Sequence, residues 1–158
     1  MADEDQKELS SRAYDILVQK IKSIEAESLR NLIVNHTLDF ASTPEQLSQL
    51  KEFLASKSIP LQAEGTSHEL TKLQRYNIIR KIFSDKDVPL EEKNKVLGEE
   101  MAVDYSDVDE NNKIKCLACI PDQQNKESLW NQYVKKENMT QEQFSYSSSC
   151  FYNNSNKE

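Results

Sequence analysis

The sequence predicts an all-α fold, and three observations carry that expectation. Two glycines and four prolines in 158 residues leave little of the turn and phosphate-loop chemistry that sandwiches, barrels and Rossmann-type sheets require. The strong helix formers Leu, Glu, Lys, Gln and Ala are plentiful along the chain. Apolar residues recur at three- and four-residue steps, and no useful stretch of strand-like alternation interrupts them.

The elements follow in order. A first helix over about 6–22 has Leu9, Ala13, Ile16, Leu17 and Ile21 as its apolar stripe. A second, over about 25–41, has Leu29, Leu32, Ile33, Leu38 and Phe40. The third opens with "TPEQ": Thr43 caps, Pro44 fits the first helical position, and Gln46 closes a capping box. Its stripe is Leu47, Leu50, Phe53 and Leu54. Residues 56–69 read as a loop, marked by Pro60 and Gly65. A fourth helix over about 69–84 sets Leu70, Leu73, Tyr76, Ile79, Ile82 and Phe83 against a basic side of Lys72, Arg75, Arg80 and Lys81. Pro89 starts a fifth, about 89–102, with Leu90, Leu97 and Met101 inward.

Ser106 and Asp109 cap a sixth helix over about 107–120. Pro121 breaks it and Asp122 caps a seventh, about 122–136, with Leu129, Trp130, Tyr133 and Val134 facing inward. Thr140 and Gln143 repeat the capping box for a short eighth, about 140–151. The polar tail 153–158 is expected to fray. About eight helices joined by short loops point to a single domain over 1–158, built of stacked antiparallel pairs like a HEAT-type α-solenoid.

Charge and patterning bear on function. Acidic residues outnumber basic ones 27 to 20, for a net charge of -7, with no basic run of five. Nucleic acid is therefore disfavoured as a partner. No apolar run approaches the roughly 20 residues that span a bilayer, so no membrane partner is expected. The N-terminal "MADEDQKELSS" is unlike a signal or transit peptide, and a cytoplasmic location is expected. Three cysteines, an odd number, do not make a secreted disulfide framework. The sequons at Asn35, Asn138 and Asn153 read as accidents of an Asn-rich chain.

Candidate chemistry is sparse. "HELTK" at 68–72 begins like the zinc signature His-Glu-x-x-His, but Lys72 stands where the second ligand belongs. His68 reads instead as a loop histidine near a helix start, and His36 as a helix residue. Cys116 and Cys119 form a Cys-x-x-Cys at a helix C-terminal end, not at the N-terminus where the dipole lowers a thiol pKa. With only Cys150 besides, they read as small apolar packing residues. The acidic clusters Glu91-Glu92, Glu99-Glu100 and Asp107-Asp109-Glu110 lack calcium-loop spacing. No Gly-rich phosphate loop and no Gly-x-Ser-x-Gly elbow occurs. No catalytic residue, metal ligand or cofactor is expected in this chain.

Three segments carry a resemblance: "LTKLQRYNIIRKIF", "GEEMAVDYS" and "CLACIPDQQNKESLW". In order and spacing they resemble the C-terminal helical domain of zinc aminopeptidases of the aminopeptidase N and puromycin-sensitive type, over about 25–152. The matching positions are Leu73, Arg75, Tyr76, Glu99, Asp104, Ala118, Pro121, Lys126 and Trp130. The resemblance implies a non-catalytic bowl of antiparallel helices that closes over a thermolysin-like domain and restricts peptide access to its zinc. The family's Gly-x-Met-Glu-Asn and His-Glu-x-x-His motifs are absent from this sequence. The implied partner is a catalytic aminopeptidase domain, in cis or in trans, together with its peptides. The zinc belongs to that domain. The alternative is a stand-alone helical module, or a small subunit of an assembly, whose partner is another protein.

Overall fold

A computed structural model describes residues 2–103, 105–135 and 139–152. It is all-α, with helix pairs packed against each other. The helices are α1 (Ala2–Ser23), α2 (Glu27–Phe40), α3 (Pro44–Ser56), α4 (Lys72–Ser84), α5 (Leu90–Met101), α6 (Asp107–Cys119), α7 (Gln123–Lys135) and α8 (Gln141–Phe151). Between α3 and α4 lies a small hairpin, β1 (Ser58–Pro60) and β2 (Ser67–Glu69). Asp104 and the tail 153–158 lie outside the described residues. By its contacts the chain divides into two compact units, Met1–Lys81 and Ile82–Glu158.

In the first unit α1 packs on α2. The core contains Tyr14, Val18, Ile21, Val34, Leu38, Leu47, Leu50, Phe53, Ile59, Leu70, Tyr76, Ile78 and Ile79, all buried. The expected stripes need correction at Leu73 of α4, which is exposed, and more widely on α1 and α2. On α1, Leu9 and Ile16 are exposed while Tyr14 and Val18 are buried beside Ile21. On α2, Leu29, Leu32 and Phe40 are exposed while Val34, Thr37 and Leu38 are buried. Both helices carry apolar residues on more than one face, so periodicity alone does not select the one that packs. On α3 the expected Leu47, Leu50 and Phe53 are buried.

Polar ties complete the unit. The capping box of α3 is present, with the Gln46 N–H donating to Thr43 Oγ1 at 3.2 Å. Gln46 Oε1 accepts from the Ser42 N–H at 3.0 Å and the Thr43 N–H at 3.3 Å. Its Nε2 donates to Ser11 O at 3.0 Å, Ser11 Oγ at 2.9 Å and Asp15 Oδ1 at 3.0 Å on α1. One amide thus starts α3 and fastens it to α1. The Tyr14 hydroxyl adds a bond to Gln49 Oε1 at 2.9 Å.

The start of α4 repeats the device. The Thr71 N–H donates to Gln74 Oε1 at 2.9 Å and the Gln74 N–H to Thr71 Oγ1 at 3.3 Å. Gln74 Nε2 reaches Asn31 Oδ1 at 3.3 Å and Asn35 Oδ1 at 3.1 Å on α2. The helix therefore begins at Lys72, three residues after the expected Glu69, because Thr71 supplies the cap.

The expected loop over 56–69 contains the antiparallel hairpin, with Ser58 opposite Glu69, Ile59 opposite His68 and Pro60 opposite Ser67. Strands of three residues are too short for alternation to register. Lys57 ends α3 in the left-handed region at φ 53°, and Gly65 turns the hairpin at φ 74°. The Gln62 N–H donates to Lys22 O at 3.1 Å, tying the hairpin to the end of α1.

In the second unit α6 packs on α8 and on α7. Ala118, Cys116, Cys119, Ser147 and Cys150 are buried, small side chains that let helices approach closely. On α5, Leu97 is buried as expected, but Leu90 is 56% exposed. Lys93 is buried there instead, its Nζ donating to Asp85 O at 2.6 Å. Burial lowers the Lys93 pKa, with Asp85 opposing. At the start of α6 the buried Asp109 carboxylate accepts from the Ser106 N–H and hydroxyl, each at 2.7 Å.

The two kinds of capping glutamine make a stability comparison. Gln46→Ala is expected to cost about 2–3 kcal/mol, since both cap and cross-helix bonds go. Gln143→Ala, in the more exposed box of α8, is expected to cost about 1 kcal/mol or less. Urea unfolding of both variants checks this, and equal losses would contradict the strut role of Gln46.

Candidate functional site

The joint between α6, α7 and α8 gathers four of the positions singled out in the sequence: Ala118, Pro121, Lys126 and Trp130. Three reasons place it there. Helix α6 ends at Cys119, and Ile120-Pro121 turns the chain in extended backbone, as a residue before proline prefers. Asp122 caps α7 as expected, its Oδ1 accepting the Asn125 N–H at 2.9 Å. Asn125 Nδ2 then donates back to Leu117 O at 3.0 Å.

Lys126 is the centre of the joint. Its Nζ donates to Ala118 O at 2.7 Å, at the end of α6, and to Phe151 O at 2.6 Å, at the end of α8. Carbonyls in a last helical turn have no intrahelical donor and carry the negative end of the helix dipole. A cation between two such ends satisfies both. The amine also sits 4.9 Å from the Phe151 ring centroid. Burial pushes the Lys126 pKa down, while Cys119 and Cys150 nearby act to raise it.

An aromatic cluster flanks the amine. Tyr133 meets Phe144 edge-on at 5.2 Å and Phe151 at 5.4 Å, and Phe151 meets Tyr152 at 5.3 Å. The Tyr133 and Ser147 hydroxyls share a hydrogen bond of 2.5 Å. Burial pushes the Tyr133 pKa up; the bond to Ser147 opposes this and Cys150 adds to it.

Trp130 corrects the sequence reading. Its inward position was expected, yet it is 57% exposed, with its ring 6.4 Å from that of Phe151. Val134, one turn on, is exposed too, and no described residue of α7 is fully buried. Helix α7 packs on α6 through few residues, so its apolar stripe is only partly covered.

The other matching positions lie elsewhere. On α4, Tyr76 is fully buried, and half-buried Arg75 donates from Nη1 to Leu70 O at 2.7 Å. Leu73, expected on the inner side, is 55% exposed. Glu99 is exposed on α5, 4.0 Å from Lys95. The structure does not unite these with the joint, and Asp104 falls outside the described residues. Sequence reasoning missed Phe151, Tyr133 with Ser147, and the convergence of Cys150 on Lys126. Only the aromatic residues at the end of α8 offered a signal.

Cys116 and Cys119 are buried, in keeping with packing. Among the described residues no group of three or more His, Cys, Asp or Glu side chains is placed to hold a metal ion. Among them, too, no helix is long and apolar enough to cross a membrane. His68, expected in a loop, is buried on β2, and His36 is exposed on α2. In comparisons with known proteins, no family model and no curated protein matches the chain.

Lys126 and Trp130 separate cleanly in experiment. Lys126→Met is expected to cost about 1.5–3 kcal/mol, as two carbonyls lose a charged donor. Trp130→Ala is expected to cost under about 1 kcal/mol, where a buried tryptophan would cost about 3–5. Chemical denaturation of the two variants gives both numbers, and a reversed order would refute this reading of the joint.

Proposed function

We propose that the chain is the non-catalytic helical domain, or part of it, of a cytoplasmic zinc aminopeptidase of the aminopeptidase N and puromycin-sensitive type. Its role is to cap the active site and restrict access to short peptides. The zinc and the catalytic residues belong to a catalytic domain joined in cis or held in trans. One observation carries this reading: the pattern Ala118, Pro121, Lys126, Trp130 forms one structural joint. The eight-residue step from Ala118 to Lys126 brings the amine back to the carbonyl that ends α6, at 2.7 Å. That contact supplies a physical reason for the family-like spacing.

A second reading rests on Trp130. An exposed tryptophan beside an exposed Val134 has the character of a binding hot spot. This favours a stand-alone helical module that docks another protein.

Capture of the native polypeptide from cell extract with an antibody to this chain distinguishes the two. The first reading expects a zinc-dependent aminopeptidase activity in the captured material, lost on chelation of the metal. Captured material without any His-Glu-x-x-His polypeptide, fused or separate, defeats it. The second expects a non-peptidase partner that Trp130→Asp releases; a partner retained by that variant defeats it.

A further inference from the structure

His68 is 4% exposed, and its Nε2 has no hydrogen-bond partner among the described residues. The ring lies on β2 opposite Ile59, itself buried, so both side chains of this pair turn inward. Charged groups facing it come from α2: the Arg30 guanidinium and the Glu27 carboxylate. From α4 it meets Gln74 through a side-chain hydrogen bond.

A neutral imidazole fits this place, because its bare nitrogen costs only a modest desolvation. An imidazolium has N–H donors on both nitrogens. The second would point where no acceptor is present among the described residues, in a desolvated site beside a guanidinium. The neighbours have other bonds as well, and none reaches Nε2 among the described residues. Arg30 donates to Ile24 O and Glu25 O. Gln74 Oε1 accepts the Thr71 N–H, and its Nε2 serves Asn31 and Asn35. The hydrogen bond with Gln74 and the charge of Glu27 favour the proton, and burial, with Arg30, outweighs them.

We infer that the β1–β2 hairpin is a pH-sensitive latch, closed while His68 is neutral and opened by protonation of its ring. Bonds from outside the two strands tie the latch near its ends, among them one from the Ser56 hydroxyl to Ser58 O at 2.9 Å. The Gln62 N–H donates to Lys22 O at 3.1 Å and the Leu70 N–H to Lys57 O at 2.9 Å. The sign follows from burial, which lowers the ring's pKa from its ordinary 6.5 in the closed form. The open form then binds more protons, so closure is complete above 6.5 and weakens as pH falls below it. The opening equilibrium rises by up to about 30-fold between pH 8 and pH 5 if the closed ring stays neutral throughout.

Two measurements on the whole chain test the latch. Amide exchange at Gln62 and Leu70, corrected for intrinsic pH chemistry, is expected to speed up by up to about 30-fold from pH 8 to pH 5. His68→Leu, which cannot titrate, is expected to abolish that dependence. Should the variant fail to fold, the NMR titration of the wild-type ring decides. A midpoint below 6.5 supports the latch. A midpoint at or above it, exchange that is flat with pH, or dependence that survives in His68→Leu overturns it.

Discussion

A helix of ordinary length begins with N–H groups that no residue of its own can satisfy. In this chain that constraint is met by a threonine and, three residues on, a glutamine. Thr43 with Gln46 and Thr71 with Gln74 close their boxes, and each glutamine amide then reaches a second helix. The same side chain therefore sets where a helix starts and where it lies. Gln46 and Gln74 are both buried, where an unmet amide would be costly. Moving either helix along or around its axis would break several bonds together. The apolar core supplies the driving force, but it is non-directional. The amides supply the register.

The second unit solves the opposite end of the helix. Lys126 closes two C-termini with one amine, and the small residues Ala118, Cys116, Cys119 and Ser147 are buried on the packed helices. Lys126 is half-buried, and drawing a lysine amine out of water is costly unless its donors are occupied. Here two carbonyls and the face of Phe151 occupy them. The Cys-x-x-Cys loses its chemical appearance in this setting and becomes part of the packed seam. The aromatic cluster that covers the amine leaves Trp130 at its rim.

These features bear on function through what they leave outside. The positions on which the proposed likeness to an aminopeptidase's helical domain rests divide into two kinds. Tyr76, Ala118 and Lys126 are internal supports. Leu73, Glu99 and Trp130 stand exposed. A domain that caps a catalytic partner needs both a rigid frame and uncovered contact residues. The exposed apolar residues are compatible with that division of labour, and equally with docking of a different protein.

The sequence by itself determined the class of fold, the number of helices and most of their limits. Helix formers, prolines and caps act within a few residues of chain, so Thr43, Ser106, Asp122 and Thr140 were all legible as starts. It also placed Leu47, Leu50 and Phe53 inside, where one apolar face of α3 stands alone, and Tyr76 on α4. Tertiary structure decided the rest. On α1 and α2 it chose Tyr14, Val18 and Val34 over Leu9, Ile16, Leu29 and Leu32, because apolar residues lie on competing faces and only a partner selects one. It left Trp130 exposed, since α7 is only partly covered. It paired Ile59 with His68 across eight intervening residues, a contact too distant along the chain for local pattern to reveal. And it brought Lys126 to Phe151, 25 residues away, because carbonyl ends attract a cation by position in space, which spacing along a chain does not specify.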